Sequence, residues 1–329
     1  MKIRSSVAIV AASIIAIALA GCSNAATDTG GTSSKFPSSC SSSNPTVGVA
    51  LPNTVNPYYT AMQKSFEDNG KKLGFTVKVA IANDSDSNQL SQVQAFIQQK
   101  VCAVALNGVN SGPAAASVAA LNQAHIPVFT VNVIIDPASL KAQNASFVQY
   151  VGADQVAGGT QMGTQALKDV GATTKIVAGV VGDPDQVPTN QRDKGFADVL
   201  KKNPNATVLP AVNSKVDPNV SLQVTSDLLQ SNPSINMIFA DTGPGAVGAL
   251  QAIKQAGKQG TIKLYAFCAA DTALTDFYAA CSAQEPAQYA QVLLTNLKSY
   301  LAGNSVQQTV LEAPKVFLKG QTPGPGEVG

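Results

Sequence analysis

The chain has 329 residues, enough for two domains of ordinary size, and carries 22 Lys and Arg against 20 Asp and Glu. Loss of a leader containing Lys2 and Arg4 would leave the two signs balanced, which excludes the basic face that a nucleic-acid partner needs and electrostatic attachment to a membrane. Aromatics at 5% and charged residues at 13%, with plentiful Ala, Val, Gly, Asn and Gln, fit a compact α/β protein rather than a disordered one.

In chain order, Lys2 and Arg4 precede an apolar stretch from about Val7 to Ala20, which ends in Leu19-Ala20-Gly21-Cys22. A basic start, a short apolar core and small residues at its end describe an export signal, too short to be a good membrane span. Leu-Ala-Gly-Cys resembles the bacterial lipobox, which implies cleavage before Cys22 and lipid on its sulfur; an ordinary signal peptide with a chance Cys is the alternative. A single acyl chain binds weakly, so stable anchoring needs more than one, as the resemblance implies. Residues 1–21 are therefore expected to be a lipoprotein signal peptide. Residues 22–45, rich in Ser, Thr, Gly, Asn and Ala, are expected to be a flexible tether, with order beginning near Thr46. The mature protein is expected at the extracytoplasmic face of a bacterial cell membrane, held there by lipid.

From Thr46 onward, short apolar runs alternate with amphipathic stretches. Strands are predicted at Thr46–Leu51, 76–80, 102–106 and Val128–Val131, with helices at Pro57–Leu73, 88–99 and Ala114–Gln123 between them. The first helix stops at Gly74, and Leu90, Val93 and Phe96 share one face of the second. A second block follows, with strands at 147–152, 175–181, 207–209, 235–240, Lys263–Phe267 and 280–283. Its helices are predicted at Gln155–Val170, 190–202, 221–230, 246–256 and Pro286–Leu301. Continuous β-branched runs separated by helices indicate parallel strands buried on both faces. Two such blocks predict an α/β fold of two doubly wound parallel-sheet lobes, with ligands at the carboxyl ends of the strands.

Besides Cys22 there are four cysteines, Cys40, Cys102, Cys268 and Cys281. An oxidising compartment favours pairing. Four thiols allow three connectivities, between which sequence does not choose. Chain order suggests Cys40–Cys102 and Cys268–Cys281; free buried thiols are the alternative. No Cys-x-x-Cys occurs and His125 is the sole histidine, so no metal site is expected.

The loop after the first strand reads Pro52-Asn53-Thr54-Val55-Asn56-Pro57-Tyr58-Tyr59. Asn56 is a good helix cap and Pro57 a good first residue. Val-Gly-Val-Ala-Leu-Pro followed by Asn-Pro-Tyr-Tyr resembles the opening of type I periplasmic binding proteins of the ribose-binding kind. Further pieces follow in the same order: Ala105-Leu106-Asn107, Ile126-Pro127-Val128, Val151-Gly152-Ala153-Asp154, Arg192-Asp193-Lys194-Gly195-Phe196, Phe239-Ala240-Asp241 and Ala283-Gln284. The resemblance spans about Thr46 to Leu318. It implies a hinge of three crossovers, near Asp154, near Gln284 and again near Leu318. Residues 46–153 plus 285–314 would form the N-terminal lobe, and residues 154–284 plus 315–323 the C-terminal lobe.

The resemblance also implies an extracytoplasmic solute-binding lipoprotein that passes a small sugar or sugar alcohol to an ABC permease and its ATPase, without cofactor or reaction, as a monomer. Carried over by position, Asn56, Tyr58, Tyr59, Asn107, Arg192 and Gln284 match ligand contacts of the family. Other positions depart. The family's Asp-Arg pair falls at Asn132 and Val133, its second-lobe aromatic at Val216, its Asn at Thr242 and its Asp at Cys268; Asp241 or Asp271 is a neighbouring source of a carboxylate. Neutral Asn132 in place of a clamp for fixed ring hydroxyls points to a short acyclic polyol rather than ribose.

Other features have plainer readings. Gly243-Pro244-Gly245-Ala246-Val247-Gly248 matches a dinucleotide fingerprint, with Asp271 at a fitting distance. In an exported protein it is read as a Gly-rich loop facing the cleft. Asp183 and Asp185 are too short a cluster for a calcium loop. No Gly-x-Ser-x-Gly, Ser-x-x-Lys or His-Glu-x-x-His occurs, which disfavours a secreted enzyme. A sensor delivering ligand to a membrane receptor would share the same lobes. A sugar-responsive repressor is excluded by the export signal and by the lack of an N-terminal DNA-binding helix pair.

Overall fold

A computed structural model describes residues 36–171 and 173–329. The export signal and Cys22 lie outside the described residues. The first sheet contains β1 (Thr46–Leu51), β2 (Thr76–Ile81), β3 (Ala103–Leu106), β4 (Val128–Val131), β5 (Gln149–Ala153) and β11 (Thr309–Glu312), in the spatial order β11-β5-β4-β3-β1-β2. All its pairings are parallel. Strand alternation divides its side chains between two faces. Val47, Val49, Leu51, Ala103 and Ala105 pack against α1 (Pro57–Leu73) and α9 (Pro286–Leu301). Ala50, Val104 and Leu106 pack on the other face, against α2 (Asp86–Gln98) and α3 (Ala114–Gln123). Helices on both faces explain why these strands are apolar without interruption.

The second sheet has the same construction. Its order is β12 (Lys315–Leu318), β10 (Tyr278–Ala283), β9 (Lys263–Phe267), β8 (Met237–Ala240), β6 (Ile176–Gly182) and β7 (Ala206–Asn213). Here α5 (Gln155–Val170) and α6 (Val187–Leu200) cover one face, and α7 (Pro218–Ser231) and α8 (Gly243–Gln255) the other. All neighbours are parallel except β12, which runs antiparallel to β10 at the edge.

The chain passes between the sheets three times. It leaves β5 for α5 at Asp154, whose carboxylate accepts from Ala157 N at 2.9 Å as a helix cap. It returns from β10 to α9 at Gln284 and Glu285, and passes a third time between Glu312 and Lys315. The third passage therefore precedes Leu318, which is the last residue of β12. The segment after β12 comes back to the same place. Val328 pairs with Gln284 in an isolated antiparallel bridge, and Gly329 N donates to Cys268 O at 3.0 Å.

Three departures from the sequence expectation have physical causes. Residues 36–45, assigned to the flexible tether on composition, are pinned to the first lobe. Cys40 is bonded to Cys102, and the Phe36 ring stands edge-on to Tyr300 at 5.1 Å between centroids. The short helix α4 (Pro137–Ala142) has too few turns for a periodic signal. Strands β11 and β12 are four-residue edge strands with alternate side chains exposed, so they lack the continuous apolar signature. The second disulfide joins Cys268 to Cys281, and both bridges follow chain order.

Helices α5 and α6 pack unusually close. A Cβ placed on Gly159 would stand 1.9 Å from the carbonyl oxygen of Arg192. Gly159→Ala should therefore push the two helices apart and destabilise the second lobe by about 1–3 kcal/mol. A thermal melt reads this, and an unchanged melting temperature would show that α6 has slack.

Candidate ligand-binding cleft

A cleft of about 460 Å³ lies between the lobes. That size suits one small ligand. Its walls are built mainly from the segments that follow the carboxyl ends of β1, β2, β3, β4, β6, β7, β8 and β10, as expected for facing doubly wound lobes.

From the first lobe, Asn56, Tyr58, Tyr59 and Asn132 line the cleft. Asn56 Oδ1 accepts from Tyr58 N at 3.0 Å, so half of its amide is the cap of α1. The Tyr58 ring is edge-on to Tyr59, with centroids 5.4 Å apart. Tyr58 is 2% exposed, and its hydroxyl has no hydrogen-bond partner among the described residues. Burial, then the phenols of Tyr289 and Tyr150, hold that hydroxyl well above its ordinary pKa, so it is an un-ionised donor. Asn132 takes a left-handed φ of 62°, which Asn tolerates better than most residues. Its carbonyl accepts from the Tyr150 hydroxyl at 2.9 Å.

From the second lobe, Arg192, Thr242 and Gln284 line the cleft. Arg192 is 4% exposed. Its Nε donates to Gln155 Oε1 and its Nη1 to the Asp241 carbonyl, each at 2.7 Å. The guanidinium lies 4.0 Å above the centre of the Phe267 ring. Two of its five N–H groups are thus held by protein acceptors and one face is stacked, which fixes the fork. Burial lowers its pKa, while the charge of Asp241 opposes that shift. Thr242 Oγ1 accepts from Gly245 N at 3.1 Å and caps α8.

Three expected contacts are not on the cleft wall. Asn107 is fully buried behind it, with Nδ2 directed to Met62 Sδ at 3.6 Å and its carbonyl accepting from Gln89. Asp241 is also fully buried; its Oδ2 accepts from Asp183 N at 3.1 Å, and only its backbone carbonyl serves Arg192. Cys268 is corrected for a covalent reason: its sulfur is bonded to Cys281 beneath the wall.

The wall also holds residues the sequence did not single out, among them Asn53, Asp84, Asn110, Gln186 and Lys215. All lie in loops, where chain pattern says little about direction. Val216, where the family's aromatic falls, lines the cleft with φ at 53°, a strained setting for a β-branched residue.

The Gly-x-Gly-x-x-Gly run has a packing explanation. A Cβ on Gly248 would meet Pro218 O at 2.4 Å, where α8 crosses α7. The first amide of that helix is already taken, since Gly243 N donates to Gly329 O at 2.8 Å. Asp271 lies outside the cleft lining, and His125 is an exposed residue in the turn after α3. Among the described residues, no group of three or more His, Cys, Asp or Glu is placed to hold a metal. Among the same residues, no helix is long and apolar enough to cross a membrane.

The family model described as "Periplasmic binding protein domain" matches residues 47–305. The chain belongs to this family. With its relatives, it is a binding protein and not an enzyme. It is 28% identical over 269 residues to the ribose import binding protein of Bacillus subtilis, covering 80% of this chain and 84% of that one. A Mycobacterium smegmatis protein solved with β-D-fucofuranose superposes with a TM-score of 0.74 at 26% identity, covering 84% of this chain and 91% of that one. The Caulobacter myo-inositol binding protein, solved with myo-inositol, gives 0.75 at 25% identity, covering 84% and 93%.

Proposed function

We propose that this periplasmic binding protein captures one small, uncharged, polyhydroxylated molecule between its lobes and delivers it to the permease and ATPase of an ABC importer. It works at the extracytoplasmic face of the membrane, anchored by lipid on Cys22, as a monomer. The observation that carries the reading is the fixed fork of Arg192 on a cleft wall that also carries Tyr58 and Tyr59. Tyrosine faces cover C–H surface, and the amide of Asn132, whose Nδ2 is shared with Asn107 Oδ1 at 3.5 Å, and the fork of Arg192 suit hydroxyl oxygens. A micromolar ligand needs about 8 kcal/mol, which roughly eight to ten net hydrogen bonds plus ring packing supply.

Of the relatives, one is named for ribose import, one is solved with a furanose and one with myo-inositol. Within that class a short acyclic polyol comes first for this chain. Asn132 and Val133 stand where ribose-binding relatives are expected to carry a charged clamp, and a flexible polyol needs no rigid match to ring stereochemistry. Calorimetry against tetritols, pentitols, pentoses and myo-inositol tests both levels. Heat from a polyol at micromolar concentration is expected. Heat from pentoses alone would remove the acyclic reading, and no heat from any member would remove the ligand class.

A further inference from the structure

The lips of the cleft are joined by a side chain that the ligand reading does not use. Gln186 precedes α6 in the second lobe, at a position where a side chain ordinarily caps its own helix. It makes no such bond. Its amide instead reaches the loop after β3 in the first lobe. Gln186 Oε1 accepts from Ser111 N at 3.2 Å and from Ser111 Oγ at 3.1 Å. Gln186 Nε2 donates to Asn110 Oδ1 at 2.7 Å and to Val109 O at 3.2 Å. The Ser111 hydroxyl completes the exchange by accepting from Val187 N at 3.0 Å, a first-turn amide of α6.

Every donor and acceptor of the Gln186 amide is therefore occupied from the opposite lobe, and Gln186 and Ser111 are 7% and 1% exposed. The receiving loop is itself fixed. Asn110 Nδ2 donates to Asp86 at 2.7 Å, and Val109 N donates to Gln89 Oε1 at 3.0 Å, both on α2. The helix capped in this way is the one that carries Arg192.

We infer that Gln186 and Ser111 form an interlobe latch, which closes the cleft by protein contacts alone and caps the helix of Arg192 from the other lobe. All five bonds run between protein atoms, so the closed arrangement has a source of stability independent of any bound molecule. The inference goes beyond the ligand reading and is tested without ligand. Loss of the Gln186 amide removes four bonds between parts that separate when the lobes open, so the closed-to-open ratio should fall about tenfold or more.

The measurement is amide hydrogen exchange on the full-length, ligand-free protein, read at Ser111 and Val187, whose N–H groups are both latch donors. Oxidative footprinting of Tyr59 on the cleft wall reads opening separately. Both amides are expected to be protected in the wild type. In Gln186→Ala both should exchange about tenfold faster or more, with Tyr59 labelling raised and the β3 amides unchanged. Should Gln186→Ala also lose β3 protection, Ser111→Ala is read instead. It keeps its own N–H but leaves Val187 N uncapped, so Val187 should accelerate more than Ser111. Free exchange at both amides in the wild type, or exchange and labelling unaltered by the substitution, overturns the latch.

Discussion

Arg192→Ala should weaken capture of the best ligand in the polyol and sugar panel by a hundredfold or more. The side chain brings a permanent charge to the cleft, and hydrogen bonds to charged groups are worth about 1.5–3 kcal/mol each. Three of its N–H groups have no protein acceptor among the described residues, because only Nε and Nη1 are engaged, by Gln155 and Asp241. Two bonds to ligand hydroxyls thus correspond to roughly two powers of ten or more in affinity. Arg192→Lys separates charge from geometry. It restores the positive charge, but an ammonium replaces neither the stacking on Phe267 nor the two fixed bonds that aim the fork. It should recover only part of the loss. Calorimetric titration reads both variants, and a dissociation constant within threefold of wild type in Arg192→Ala would place the ligand elsewhere.

The parts of this molecule that were legible in its sequence are those fixed by local chemistry. Val47 to Leu51 is apolar without a break because helices cover both faces of its sheet, and the run alone says as much. Asn56 and Pro57 mark the start of α1 because capping is a matter of adjacent residues. Arg192, Tyr58 and Tyr59 were found through motif resemblance and do reach the cleft. The failures share a different origin. Cys268 occupies the place of a family carboxylate, yet its chemistry was decided by Cys281, on the neighbouring strand. Asp241 and Asn107 follow their strands at the expected places, but one turns under the wall towards Asp183 and the other towards Met62. Which way a side chain turns after a strand depends on what fills the space beneath, and that comes from distant segments. Gln155 and Gln186 carried no signal at all. Each is an ordinary amide at a helix start, and its role depends on residues that only the folded crossing brings within reach.

The wild-type protein should lose thermal stability as pH rises from about 4 to 7, and Asp193→Asn should flatten that slope. Asp193 follows Arg192 on α6, with a buried Oδ1 that has no hydrogen-bond partner among the described residues. Burial pushes its carboxyl up to about 7, against the pull of Arg192. The Asp241 carboxyl is also raised well above the usual range, by burial first and by Asp193 next, and its Oδ1 likewise lacks a partner. Two desolvated acids that share the influence of one buried cation hold a proton that the unfolded chain, with carboxyls near 3.9, gives up. Between about pH 4 and 7 the native state therefore binds more protons than the unfolded state. Stability is full at the acid end of that window and falls by up to about 1.4 kcal/mol per pH unit for each such proton. The carboxylates whose pKa is lowered, such as Asp68, Asp198 and Asp276, are surface groups paired with lysines, and their titration lies below this window. Asn keeps the shape of Asp193 and cannot ionise, so the variant should melt several degrees above wild type at pH 8 and close to it at pH 4.5. Melting curves of the two proteins across that range decide the matter: equal slopes would mean that the proton resides elsewhere, whereas a flattened slope would identify the pair behind Arg192 as its holder.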